Sequence, residues 1–191
     1  MLLSLITIVF GGIADMLTLA FLVRFAMQWA RASFRNPLGG FIMAVTDWAV
    51  TPVRKLVPGL FGLDLASFAL AWLVQALFIS AVIGVSGIHA GAAGTAFGVA
   101  ALAGLVETLR MAVYIAMGAV IAAALLSWIN PHAPLASVVN QLAQPLLRPV
   151  QRIIPTIGGV DLSPIAVLLI LQVILAALGF WRAALLPIFV R

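Results

Sequence analysis

Four long stretches of the chain are almost entirely apolar, and segments with more polar residues separate them. A membrane-spanning helix needs about 20 consecutive, mainly apolar residues, and each stretch meets that length. A membrane β-barrel would instead show short segments of alternating polarity. The pattern therefore predicts an all-α membrane protein with four transmembrane helices. The predicted spans cover residues 2–23, 65–88, 106–129 and 162–181.

The segments after the first and third spans share a second pattern. In the later segment, apolar and polar residues lie on opposite sides at helical spacing, as in a helix on a membrane surface. The earlier segment repeats this pattern less clearly. Asn36-Pro37 and Asn130-Pro131 each suit an N-cap followed by proline at the first helical position. We therefore expect an amphipathic helix in each segment.

A basic phrase that ends in Asp-Leu occurs twice. It reads PVRKLVPGLFGLDL from Pro52 to Leu65 and PVQRIIPTIGGVDL from Pro149 to Leu162. Both copies occupy the same place between an amphipathic segment and a span. The repetition predicts two tandem, co-oriented copies of one unit. The first repeat covers residues 1–88, a Gly/Ala-rich connector covers 89–105, and the second repeat covers 106–191.

The prolines of the phrase predict a stiff, non-helical link, because proline lacks a backbone donor and restricts the preceding residue. Asp64 and Asp161 then stand where the next span begins, where a carboxylate can cap the helix. Ser163 is an alternative cap in the second copy. A further alternative pairs the two aspartates with basic residues of their own or the opposite repeat to form an ion or anion site at the cytoplasmic face. The basic candidates are Arg54, Lys55, Arg148 and Arg152.

Composition agrees with a membrane location. The chain is 65% hydrophobic and 8% charged, with a mean hydropathy of +1.26, whereas soluble domains carry about 25% charged residues. The net charge is +5, but the basic residues are concentrated in the two connecting segments. This distribution favours membrane orientation and contacts with anionic lipid headgroups, and it argues against nucleic acid.

The same charges predict the sidedness of the protein. The segment that follows the second span contains no Lys or Arg, whereas both repeat loops are basic. Because loops rich in Lys and Arg stay in the cytoplasm, the repeat loops are expected there. The termini and the Gly-rich connector are expected on the opposite side.

Ionisable residues also occur inside the predicted spans, where they are costly and often functional. Asp15 lies well within the first span, and Glu107 and Arg110 stand three residues apart near the start of the third. These three residues form a candidate intramembrane polar site. Arg24 is expected to extend to the cytoplasmic boundary. Gly118-Ala122 and Gly94-Gly98 fit the spacing of close helix contacts.

Motifs for catalysis are missing from the sequence. It contains no cysteine and two histidines that are far apart, so a metal centre has little support. Phosphate-binding loops, a nucleophile elbow and a dinucleotide fingerprint are likewise not found. The sequence therefore predicts no enzyme, no metal and no cofactor.

The chain resembles the YggT family, called YlmG in Gram-positive bacteria and plastids. The resemblance lies in LVRFAMQWARASFRNPLGGFI, in TPVRKLVPGLFGLDLASF and in the segment from LLSWINPHAP to GGVDLSP, and it covers both halves. It implies a small bacterial inner-membrane protein with two copies of one domain. It also implies links to osmotic and potassium balance, to division or to membrane-complex biogenesis. Gln151 departs from the pattern, because the first copy has Arg54 there.

Two functional hypotheses follow. The first is a non-enzymatic organiser or accessory factor that acts on lipids or a partner protein. The partner can be a second copy of the chain, which gives a homo-oligomer, or another membrane protein. The alternative is an oligomeric potassium or proton channel, or a transporter component. A channel requires Asp15 or Glu107 to face a water-filled path or a subunit interface, whereas an organiser requires them to be paired.

Overall fold

The computed structural model describes residues 2–59, 62–85, 93–130, 133, 135–154 and 161–185, and they form an all-helical structure. Four helices are long and apolar enough to cross a membrane, as the sequence predicted. Two shorter helices stand between them. The order is α1 (Leu2–Trp29), α2 (Pro37–Arg54), α3 (Leu65–Val85), α4 (Ala93–Ile129), α5 (Ala136–Gln151) and α6 (Ser163–Leu185).

The helices pack as two groups, which we call the first half (α1 to α3) and the second half (α4 to α6). In the first half, Phe21 of α1, Val50 of α2 and Ala71 of α3 share one buried cluster. In the second half, Val120 of α4 and Ala143 of α5 share another with residues of α6. Each short helix therefore fills the space between two long ones.

The halves meet mainly where α3 packs along α4. Gly104 of α4 faces α3 closely, since a Cβ atom there would lie 2.7 Å from the backbone nitrogen of Ala76. The Trp72 indole N–H donates to the carbonyl oxygen of Ala101 at 2.8 Å. Gly118 and Gly98, which the sequence pattern favoured as contact sites, face open space instead. The close approach depends on Gly104.

Several helix boundaries differ from the sequence prediction. Helix α4 begins at Ala93, so residues 93–105 of the predicted connector are helical, in keeping with their many alanines. Helix α2 runs through Pro52, and α5 runs through Pro149 to Gln151. The first residues of each repeated phrase are therefore helical, and the prediction of a wholly non-helical link was wrong. Near a helix end, proline leaves only one carbonyl without its donor.

The N-cap prediction holds for one segment and not for the other. The Asn36 side chain accepts a hydrogen bond from Gly39 N at 2.8 Å, and Pro37 is the first helical residue. Asn130 follows the end of α4, and α5 begins only at Ala136 after Leu135. Asn130 is therefore not the cap of α5. Pro131, residues 86–92 and residues 155–160 lie outside the described residues.

Candidate functional site

A cavity of about 440 Å³, which we call the polar cleft, is lined by residues of all four long helices. One end of the polar cleft lies at the end of the bundle opposite to α2 and α5. It is lined there by Thr7, Ile83 and Leu185. Asp15 and Gln75 line it nearer the middle of their helices. The cleft therefore extends from one end of the bundle into the interior of the span region.

Asp15 accepts a hydrogen bond from Gln75, a residue that sequence analysis did not single out. The Gln75 amide donates to Asp15 Oδ1 at 2.9 Å and to Thr18 Oγ1 at 3.3 Å. Gln75 is buried, whereas the Asp15 side chain remains exposed toward the cleft. An amide donor offsets part of the cost of a carboxylate within a span. The signal for Gln75 was an amide within an otherwise apolar run.

Glu107 is shared by two arginines. Arg110 Nη1 lies 3.1 Å from Oε1 and 3.0 Å from Oε2, and Arg182 Nε lies 2.5 Å from Oε1. The contact with Arg110 follows from the spacing of three residues within α4, as the sequence indicated. Arg182 comes from α6, and local spacing could not reveal it. Within the described residues, Arg110 Nε has no hydrogen-bond acceptor.

The structure therefore brings together the three residues of the predicted intramembrane site. Asp15, Glu107 and Arg110 all line the polar cleft, with Gln75 and Arg182 as added members. Both carboxylates have polar or charged partners in it. A functional role for these residues stays a prediction.

A second polar cluster, which we call the buried ion network, lies at the end of the first half near α2. Arg24 donates to Thr46 Oγ1 at 2.7 Å and to Asp47 Oδ1 at 2.6 Å, and its Nε lies 3.4 Å from Asp64 Oδ2. Its residue exposure is only 6%. The Arg24 side chain is therefore buried among protein groups, and its position at the cytoplasmic boundary stays a prediction. Carboxylates on α2 and before α3 make its burial possible.

Asp64 lies at the centre of this network and is 1% exposed. Its Oδ2 accepts from Arg54 Nη2 at 2.7 Å and from Ser67 Oγ at 2.7 Å. Its Oδ1 is buried without a hydrogen-bond partner among the described residues. The Asp64 carboxylate thus joins two arginines and a hydroxyl and does not act as a simple helix cap. Pairing within the same half was one of the sequence alternatives.

The matching aspartate of the second half has a different environment. Asp161 accepts from Gln151 Nε2 at 2.8 Å and from Ser163 N at 2.8 Å. The nearby Ser163 side chain is the largest of the effects that lower the pKa of the Asp161 carboxyl. Burial opposes it, and the Ser163 backbone N–H and Gln151 add to the lowering. Among the described residues the Ser163 hydroxyl has no hydrogen-bond partner, whereas the Ser163 backbone N–H donates directly to Asp161. Asp161 therefore caps the start of α6.

The other predicted residues of the repeat motif are more exposed. Lys55 and Arg152 stand at the C-caps of α2 and α5. Arg148 donates to Gln144 Oε1 at 2.8 Å. The structure does not bring these three cations to Asp161 or Asp64 through any described contact. Among the described residues, no group of three or more acidic or histidine side chains is placed to hold a metal ion.

These features define a class of protein. Four apolar helices, with charged side chains paired inside the bundle, are consistent with a multi-pass membrane protein. The CCB3/YggT family model matches residues 2–84 and 102–182. The chain therefore belongs to the CCB3/YggT family, as the sequence motifs indicated.

Bacterial relatives support this assignment. The chain is 31% identical over 170 residues to the protein YggT of Escherichia coli (strain K12), which covers 88% of this chain and 86% of the relative. It is 36% identical over 156 residues to the protein PA0392 of Pseudomonas aeruginosa, which covers 80% and 77%. The names of these relatives state no activity. No solved structure matches the chain.

Proposed function

We propose that this chain is a non-enzymatic protein of the bacterial inner membrane that organises lipids or a partner protein. Its role is in osmotic and ion homeostasis or in the biogenesis of membrane complexes. The repeat loops with α2 and α5 face the cytoplasm, and the termini face the other side. This sidedness follows from the basic residues of the loops.

The pairing of the intramembrane acids carries the proposal. Asp15 accepts from Gln75, and Glu107 is bound by Arg110 and Arg182. A conduction path needs polar groups that are free to exchange partners with a moving ion. Groups with internal partners instead hold helices together within each half, α1 with α3 and α4 with α6. This arrangement favours the organiser over the channel.

The order of elements supports a duplicated unit as part of this proposal. Each half has a long, a short and a long helix, and each has its own buried cluster. Gln151 donates to Asp161 at 2.8 Å where Arg54 donates to Asp64 at 2.7 Å. These are matching positions of the repeated phrase. Two spans in each copy give both copies the same orientation in the membrane.

Exposed basic residues near the short helices provide a lipid contact. Lys55, Arg148 and Arg152 are exposed at or near the C-terminal ends of α2 and α5. Each such residue close to an anionic membrane surface contributes about 1 kcal/mol of attraction. The two short helices would thus present a basic surface to anionic lipid headgroups, while the spans fix its position.

Ion flux in sealed liposomes tests this function. The native chain and Asp15→Asn are reconstituted in vesicles that contain potassium chloride, and dyes report potassium and proton movement. We expect the same flux as in protein-free vesicles for both, because Asp15 is paired and lines no continuous path in this proposal. An ionophore added at the end shows that the vesicles were sealed and loaded.

Asp161→Asn is the matched control, because it removes a carboxylate outside the spans by the same chemical change. Native flux that persists in Asp161→Asn and disappears in Asp15→Asn would overturn the organiser and establish the channel alternative.

A further inference from the structure

Gln172 stands in the middle of α6 with its side chain exposed. It is nine residues after Ser163, or about 13 Å along the helix axis at 1.5 Å per residue. That depth is near the centre of a hydrocarbon core about 30 Å thick. Within the described part of the chain, its amide makes no hydrogen bond.

An amide at this depth needs a partner from outside the chain. The hydrocarbon region offers no water, so an unsatisfied polar group there is costly. Gln75 is likewise a glutamine inside a long helix, α3, but it is buried and its amide donates to Asp15 and Thr18. Gln172 differs because α6 packs mainly on α4 and α5, which leaves its other face uncovered.

The helix face around Gln172 suits close approach of another helix. Leu169, three residues before it, is 58% exposed, and Ala176, four residues after it, is also exposed. Gly179 follows one turn later, and a Cβ atom added there would meet nothing within 4 Å. Small residues beside a polar one are typical of helix interfaces in membranes.

We infer that this face of α6, centred on Gln172, is an interface with a second copy of the chain. A two-fold axis along the membrane normal would set α6 of each copy side by side, with Gln172 at one depth in both. A glutamine amide offers both donors and an acceptor, so two facing amides satisfy each other. Self-association therefore explains both the exposure and the depth of Gln172, independently of the function proposed above.

Disulfide cross-linking locates the interface, since the chain has no cysteine. Leu169→Cys places one thiol on the proposed face, and Leu73→Cys places one on the exposed surface of α3, where the native side chain is 44% exposed. In liposomes with mild oxidant, we expect a cross-linked dimer from Leu169→Cys and mainly monomer from Leu73→Cys. A dimer from Leu73→Cys but not from Leu169→Cys would overturn the inference.

The amide itself is tested by resonance energy transfer between labelled Leu169→Cys chains, diluted with increasing amounts of lipid. Gln172→Leu should weaken association about tenfold, which corresponds to about 1.4 kcal/mol and lies within the measured range for such bonds. Gln172→Asn should retain part of the association because it keeps the amide. Equal association of native and Gln172→Leu chains, or a native chain that is monomeric at all dilutions, would contradict the proposal.

Discussion

At the scale of single residues, the two aspartates of the repeated phrase show how one motif can have two structural roles. Asp64 is 1% exposed and lies between Arg24 and Arg54. Asp161 is more exposed and caps α6 with help from Gln151. The exchange of Arg54 for Gln151 removes a cation from the second site. Asp161 therefore has no buried cation to neutralise, whereas Asp64 neutralises the charge of buried Arg24 inside the bundle.

This difference predicts unequal effects of the same substitution. Asp64→Asn should destabilise the protein by about 3 kcal/mol, because it leaves buried Arg24 and its neighbour Arg54 without their shared anion. Asp161→Asn should change stability by less than about 0.5 kcal/mol, because an asparagine can still cap a helix. Unfolding of both variants in detergent, followed by loss of helicity, measures the difference. Equal effects would mean that Asp64 is not the anion that holds the network.

Local spacing decides which of these residue contacts a sequence can predict. Glu107 and Arg110 are three apart in one helix, so their contact follows from helix geometry alone. Arg24 and Asp64 are far apart in sequence, and their contact depends on how α1 and α3 pack. Gln75 and Arg182 were missed for the same reason. An ionisable residue can be recognised as unusual from sequence, but its partner depends on tertiary structure.

At the scale of elements, α3 and α4 form the junction between the halves, and Gly104 sets their distance. A side chain at this position would meet the backbone of Ala76 at 2.7 Å. In a membrane, helices gain contact mainly by close packing, because lipid tails are as apolar as the side chains. The junction therefore depends on a position without a side chain.

Gly104→Ala should accordingly destabilise the protein by about 1–3 kcal/mol, since the backbones must separate to admit the methyl group. Gly118→Ala in the same helix is the control, because nothing lies within 4 Å of the added atom. The control should be neutral or slightly stabilising, since alanine favours helix. Thermal unfolding in one detergent compares the two, and a loss of stability confined to Gly118→Ala would contradict this account of the junction.

At the scale of the whole molecule, the four spans were predictable because length and apolarity alone identify a transmembrane helix. The early start of α4 was not, since a Gly/Ala-rich segment without charges suits both a loop and a helix. The polar cleft was also beyond sequence reasoning, because it requires α1, α3, α4 and α6 to surround one space. Its members were visible as unusual residues, but their convergence was not.

The proposed duplication makes a prediction about the whole molecule in its membrane. Two spans return the chain to the side where it started, so both short helices should lie on one side. Lys55→Cys and Arg152→Cys place single thiols at the exposed C-caps of α2 and α5 in a chain without cysteine. A membrane-impermeant maleimide should label both from the cytoplasmic side, in inside-out but not right-side-out vesicles.

Val85→Cys is the control for the opposite side, because Val85 ends α3 and is 63% exposed. It should react only in right-side-out vesicles, since α3 separates it from α2 by one full span. Labelling of Lys55→Cys and Arg152→Cys from different sides would contradict the co-oriented repeats. Labelling of both from the outer side would keep the repeats but reverse the sidedness, because the basic loops would then face away from the cytoplasm.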